Sequence, residues 1–211
     1  MASDGVELQK KDLKAKEQQR PDVAEARRLW KLLQPFLEPH KLVFLDETAL
    51  KTDMITRYGR APVGSRCVDH APAGHWSTTT LLTAVRLDGL IEEATAVYEG
   101  PVDAERFVGY AGSMLAPALG PGDVVVMDNL ACHHREEVRE AVESAGASVW
   151  YLPAYSPDLN PIEQAFSKIK QALRRAAARC WDTLLAAAVE AMRSVSPGDL
   201  RGYFAAAGYG A

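Results

Sequence analysis

No apolar run in this sequence approaches the roughly 18 residues that a membrane-spanning helix needs, so a transmembrane helix is excluded. The opening residues MASDGVELQKKDLKAKEQQR are charged and carry no apolar stretch of the kind that defines a secretory signal, and a cytosolic protein is expected. Cysteine is scarce. Cys67, Cys132 and Cys180 are odd in number and share no spacing, which argues against a disulfide framework and fits a reducing compartment. No internal repeat or low-complexity tract is visible. An excess of positive charge is missing too: the net charge is −4 and the sequence pI about 5.8, so composition alone does not point to nucleic acid.

What is present is ordinary globular composition, 47% hydrophobic and 25% charged over 211 residues, enough for one sizeable core. Residues 1–40 alternate in charge and read as a helical arm or linker. Within them Lys10–Gln19 is polar, and Pro21 suits a first helical position before Val23, Ala26, Leu29, Leu32 and Leu33, whose spacing would lay one face on the core. The texture changes at Lys41. LVFLD (42–46) is a short apolar run ending in an acid, and STTTLLTAV (77–85) and LIEEATAV (90–97) flank the turn signal Asp88-Gly89 as a β-hairpin. Residues 103–118 put Phe107, Ala111, Met114 and Leu115 on one helical face. VVVM (124–127) reads as a central buried strand and also ends in an acid. A charged helix (134–145), a strand SVWYL (148–152), a proline-rich loop and a long helix from Pro161 follow, and the Ala-rich 176–211 adds one or two helices. The order is that of an α/β sheet with its hairpin first and helical crossovers after.

Ligands of open α/β sheets gather beyond the carboxyl ends of the strands. Asp46 and Asp128 each follow an apolar run and are expected at that edge, whereas Asp123 precedes its strand and should point away. Either acid alone is as well explained as a turn starter. The third candidate lies in YLPAYSPDLNPIEQAFSKIKQALRR (151–175). Asn160 can cap a helix, Pro161 suits its first position and Glu163 its third, so spacing alone favours a capping box. At about 100° per residue, Ile162, Phe166, Ile169 and Leu173 share the core face, while Glu163, Lys170 and Arg174 form a stripe beside it. From Gln164 to Trp181 the basic residues Lys168, Lys170, Arg174, Arg175 and Arg179 meet no acid. A carboxylate heading a basic helix suits a metal site beside a phosphate backbone, although a solvated face accounts for Lys168 and Arg175 equally well.

Cutting a phosphodiester builds charge on the entering and the leaving oxygen, and two Mg²⁺ ions roughly 3.5–4 Å apart can clamp both. Mg²⁺ takes hard oxygen ligands and keeps several waters, so three carboxylates suffice. Asp46 would bridge the two ions, and Asp128 and Glu163 would each complete one; Mn²⁺ is expected to substitute.

These residues sit in blocks that resemble a known family, the bacterial insertion-sequence branch of the mariner-like superfamily of DDE transposases. The blocks are FLDETALKTDM (44–54), GHWSTTTLL (74–82), VVMDNLACH (125–133) and YLPAYSPDLNPIEQAFSKIK (151–170). Thirty-four residues separate Asp128 from Glu163, the spacing of that branch, and 10–30 resembles the segment that precedes its catalytic domain. The resemblance implies an RNase H-like fold, a mixed five-stranded sheet flanked by helices with a three-carboxylate metal site at the sheet edge. It divides the chain into an arm (1–40), a catalytic domain (41–180) and a C-terminal helical extension (181–211). It implies that Asp46, Asp128 and Glu163 are catalytic, with Asn129 and His133 matching a D-N-x-x-x-H pattern near the metals and Glu47 as a supporting neighbour. Phe166 stands where the branch often has Trp. The implied activity is Mg²⁺-dependent cleavage at a mobile element's ends and strand transfer into target DNA, by a dimer acting at the bacterial nucleoid. Residues 1–40 are too short for the family's helix-turn-helix region, so a fragment, or one reading frame of a split gene, is expected, with that region as a separate partner. A plain RNase H-like nuclease, and a catalytically silent DNA-binding remnant, remain as rival readings.

Cys67, His70 and His75 lie close together and Cys132, His133 and His134 are consecutive, but neither group has a familiar structural-zinc spacing. Asp158 is expected to serve the turn at Ser156-Pro157. Trp76, Trp150 and Tyr155 could stack on unpaired bases, Trp150 being better placed for the core.

Overall fold

A computed structural model of the chain describes residues 15–56, 58–68, 70 and 78–210. Lys10–Lys14, His75 and Trp76 lie outside the described residues, and nothing is said of the Ala131 side chain.

Five strands form one mixed sheet in the order β3-β2-β1-β4-β5. The strands β1 (Leu42–Lys51), β2 (Thr78–Arg86) and β3 (Gly89–Glu99) make an antiparallel meander, with Leu87 and Asp88 as the turn between β2 and β3. Gly89 is thus the first residue of its strand and not part of the turn, one position later than the Asp-Gly signal implies. The strands β4 (Val124–Met127) and β5 (Ser148–Tyr151) add on parallel to β1, as their helical crossovers require. Val125, Val126 and Met127 are fully buried between two covered faces, which is why this run is uniformly apolar.

Alternation along β1 assigns each residue to a face. Leu42, Phe44 and Leu50 join the core beneath α4 (Ile162–Ala176), α5 (Trp181–Arg193) and α6 (Pro197–Ala206). Val43 and Leu45 join the core beneath α2 (Ala104–Tyr110) and α3 (Glu136–Ser144). Helix α2 is capped by Asp103 and continues through a wide π turn (Ala111–Leu115) into a 3-10 turn (Ala116–Ala118). On α4, Ile162, Phe166, Ile169 and Leu173 are buried as their spacing predicts, each contributing about 1.5–3 kcal/mol of burial. Among the described residues, no helix is long and apolar enough to cross a membrane.

The first helix, α1 (Pro21–Leu33), departs from expectation. Leu29, Leu32 and Leu33 are exposed, and the docked face is Val23, Arg27, Trp30 and Gln34. That face follows the same helical period but is anchored by polar contacts. Trp30 Nε1 donates to the Tyr209 hydroxyl at 3.0 Å, and Gln34 Nε2 donates to the Ala207 carbonyl at 2.8 Å. Trp150 meets Trp30 edge to face at 6.2 Å, so it serves packing and not base stacking. Tyr209 in turn donates to the Leu159 carbonyl at 2.8 Å, tying the chain's last described turn to the loop before α4.

Candidate active site

β1 runs five residues past Asp46, so this acid lies within a strand and not at its end. Its position is nonetheless open on one side, because β4 stops at Met127. Phe44 pairs with Val126, and carrying that register two residues further sets Asp46 level with Asp128. Parity also places Asp46 on the α4 face with Phe44, where the first turn of α4 brings Asn160 and Glu163. Asp46, Asp128 and Glu163 therefore line one open cleft of about 540 Å³, with Glu47, Asn129, Asn160 and the loop Pro153–Pro157 completing its wall.

Asp46 is 8% exposed, and both of its oxygens are held. The Glu47 amide donates to Oδ1 at 2.7 Å and Asn160 Nδ2 to Oδ2 at 2.9 Å. Burial pushes its pKa up to about 7; the charges of Asp128 and Glu163 add to this and the Glu47 amide opposes it. Partial desolvation at the cleft wall raises the Glu163 carboxyl, which stays solvent-exposed, with Lys170 opposing and Asp128 adding. Asp46 and Glu163 thus each feel the charge of Asp128. Among the described residues their oxygens do not all fall within 4.8 Å of one another, wider than one ion's coordination sphere.

No capping box forms at the head of α4. Asn160 has the extended backbone of a cap (φ −110°, ψ 103°) and Pro161 begins the turn, but the Asn160 side chain is committed to Asp46. Glu163 makes no hydrogen bond through its side chain among the described residues and is left facing the cleft. The capping expectation fails because donation from Nδ2 to the buried Asp46 carboxylate fixes the orientation of the Asn160 side chain, and its Oδ1, the atom a cap would use, meets no amide of α4.

Glu47 points to the opposite face, as alternation from Asp46 requires, and meets His133 there. His133 is fully buried against Phe107, with Nδ1 2.7 Å from Asp128 Oδ1 and Nε2 3.4 Å from Glu47 Oε2. Burial disfavours its charged form, but the two carboxylates outweigh that and push its pKa up to about 10. A charged imidazolium between Asp128 and Glu47 fixes the orientation of both. Asn129 instead holds His134, which stacks on Tyr151. Asp123, at the other end of β4, is paired with Arg86 at 2.7 Å and points away from the cleft.

Three further expectations need correction. Lys168 is ion-paired with Asp199 at 2.6 Å, where that carboxylate caps α6, so it holds two helices together and is not free for phosphate. Arg179 reaches the carbonyls of Thr52 and Met54 and closes the turn after β1. Asp158 is gripped by Arg27 of α1 through both oxygens (2.8 and 2.7 Å), and the same guanidinium donates to Ser156 Oγ at 2.7 Å. Gln18 donates to the Tyr155 carbonyl at 2.7 Å. The arm thereby braces the loop that carries Tyr155, a half-exposed residue at the cleft with a left-handed backbone (φ 56°). Lys170 does stand beside Glu163, with Arg174 behind it, and Arg175 is exposed. Neither the Asn160 contact nor the Arg27 brace has a local signature, since each joins residues more than 100 positions apart.

The sequence of residues 41–185 matches the DDE superfamily endonuclease family. The chain belongs to this family. The fold agrees: the chain superposes on a Mos1 transposase paired-end complex with left transposon end at a TM-score of 0.74 and 17% identity, over 97% of this chain and 64% of that one. A Mos1 mariner paired-end complex with Mn gives 0.76 and 16% identity over 98% and 64%. The isolated catalytic domain of Mos1 mariner transposase gives 0.66 and 17% identity over 92% and 90%. The sheet with its flanking helices is therefore RNase H-like, and the DDE chain described here spans 64% of the length of the first two. No curated protein matches it in a sequence search.

Proposed function

We propose that this chain is the catalytic part of a transposase of the bacterial insertion-sequence branch, which cleaves DNA at an element's ends and joins the freed 3′-hydroxyl to target DNA. The observation that carries this reading is the convergence of Asp46, Asp128 and Glu163 on one cleft of a DDE-family chain. The donor set fits Mg²⁺ or Mn²⁺: three carboxylates supply hard oxygens, and the upward pKa shifts of Asp46 and Glu163 mark a cluster that a cation would relieve. Asp46 is suited to sit between two ions, with Asp128 and Glu163 each on one, an arrangement in which the outer acids need not approach each other closely. When bound, two such ions would activate the attacking oxygen and stabilise the departing one.

The chain's own residues prepare that site. The Glu47 amide and Asn160 orient Asp46, and His133 orients Asp128, so these two carboxylates are held before any ion arrives. Lys170, half-buried next to Glu163, is placed to meet a phosphate oxygen entering the cleft, with Arg174 and Arg175 following along the helix. The Mos1 paired-end complexes support DNA ends as the substrate class. Assembly as a dimer on DNA, with a helix-turn-helix region reading the ends, belongs to the same reading.

The test is a plasmid nicking assay with Mg²⁺ or Mn²⁺, followed by strand transfer from a duplex with a precleaved 3′ end. Metal-dependent nicking and joining, both lost in Asp128→Asn, is the expected result. Nicking without joining would make it a plain nuclease, and DNA binding without either would make it a silent remnant.

A further inference from the structure

We propose that Glu47, Cys132 and His133 form a second metal site, adjoining the three-carboxylate cleft but with its own ligands and suited to a thiophilic ion such as Zn²⁺. One carboxylate oxygen of Glu47, the Cys132 thiol and one ring nitrogen of His133 all lie within 4.8 Å of one another. A thiolate, an imidazole and a carboxylate are the ligand types that hold zinc, with a water as the fourth ligand.

Two details of geometry support the assignment. His133 Nε2 and Glu47 Oε2 stand 3.4 Å apart. Zn–N and Zn–O bonds of about 2.0–2.2 Å at a tetrahedral angle give an edge of about 3.4 Å, so this pair already has the spacing of two ligands on one ion. The other ring nitrogen, Nδ1, lies 2.7 Å from Asp128 Oδ1. A histidine that ligates zinc is held from behind by a carboxylate in this way, which fixes the ring and leaves Nε2 for the metal. Cys132 is half-buried on the 3-10 turn Ala131–His134, and its sulfur lies within 4.8 Å of the other two ligand atoms.

The consecutive Cys132-His133-His134 is not the ligand set. His134 is turned away onto Tyr151, and the third ligand comes from β1, 86 positions before His133. An ion here would replace the contact between His133 and Glu47 and share Asp128's partner, so the site would couple a soft-metal supply to the geometry of the cleft. Zn²⁺ at low concentration is expected to inhibit Mg²⁺-dependent nicking through Cys132.

The test uses Co²⁺ as a spectroscopic substitute, titrated into the full chain under reducing conditions. Wild type should bind one equivalent with the visible bands of a tetrahedral ion and a near-ultraviolet thiolate-to-cobalt band. Cys132→Ser should lose the thiolate band and bind more than about 100-fold more weakly, beyond what the loss of an outer partner costs. Cys67→Ser and Cys180→Ser should keep the band, and so should Glu163→Gln, which separates this site from the three-carboxylate cleft. Absence of a thiolate band in wild type, or its persistence in Cys132→Ser with an unchanged melting temperature, would overturn the proposal.

Discussion

Asn160 donates its side-chain amide to Asp46 Oδ2 at 2.9 Å, joining two buried residues that lie 114 positions apart. This contact takes the residue that spacing marks as a helix cap and turns it into the support of a carboxylate. It also leaves Asn160 Oδ1 buried without a partner among the described residues, a cost that the fold carries at this cleft and not elsewhere on α4.

Asn160→Ala should therefore lower metal-dependent nicking by about 10–100-fold, the usual effect of removing the partner of a metal-holding carboxylate. Thermal stability should fall by about 1–3 kcal/mol, because Asp46 Oδ2 loses its buried donor, offset in part by removal of the unpaired Asn160 Oδ1. Nicking kinetics beside a melting curve decide it, and an Asn160→Ala protein as active as wild type would remove the assigned role.

Glu163→Gln should abolish nicking, at least about 100-fold, while the protein melts at the same temperature or higher. No capping bond is lost, since none exists. The native state mildly resists ionising Glu163, whose pKa is raised by partial desolvation and by Asp128 against the opposing charge of Lys170. A raised carboxyl pKa removes stability as pH climbs past the ordinary glutamate value, so the melting advantage of Gln should appear at neutral pH and vanish in acid.

The Arg86–Asp123 pair holds the other end of β4. Burial would raise the Asp123 carboxyl, but the guanidinium and the Gly120 amide together hold it below the usual aspartate range. Its contribution is present above the ordinary aspartate pKa and is lost as pH falls through the depressed one. Asp123→Ala should cost about 3 kcal/mol at pH 7, the low end for a broken buried pair because Arg86 is partly exposed, and less in acid below the ordinary aspartate pKa. Equal losses at both pH values would contradict this.

Two backbone positions make opposite predictions. Ala177 ends α4 in a left-handed conformation (φ 49°), so Ala177→Gly should stabilise by about 0.5–1 kcal/mol. Gly146 needs φ 77° after α3, and a Cβ there would meet Pro121 Cα at 3.3 Å; Gly146→Ala should cost about 1–2 kcal/mol. Denaturant midpoints measure both.

Lys168 and Arg175 lie on one helix but should behave differently. Arg175→Ala should weaken DNA binding and reduce the salt slope by about 1, leaving stability unchanged. Lys168→Ala should lower the melting temperature by freeing Asp199, with the salt slope kept.

Much of the architecture was legible because it is written in local periodicity. VVVM marked the central strand, Asp88-Gly89 the hairpin, and Ile162, Phe166, Ile169 and Leu173 the buried face of α4. The length of β1 was not, because DETALK mixes polar residues into a strand that pairs only with β2 beyond the end of β4. The docked face of α1 was hidden for a related reason. Hydrophobic spacing favoured Leu29 and Leu32, while the helix is held by Arg27, Trp30 and Gln34, whose partners lie in the last third of the chain. The acids themselves could be named from motif and position. His133 beside Asp128 was named by the D-N-x-x-x-H pattern, whereas the support of Asp46 by Asn160 depends on a contact 114 positions away that no local pattern encodes.

The central claim is that Asp46, Asp128 and Glu163 share divalent cations. Crystals of the chain soaked in Mn²⁺ and measured at the manganese absorption edge test it most directly. The account predicts anomalous peaks in the cleft, with Asp46 coordinating alongside Asp128 and Glu163. Peaks elsewhere on the molecule, with the cleft holding only water, would contradict it.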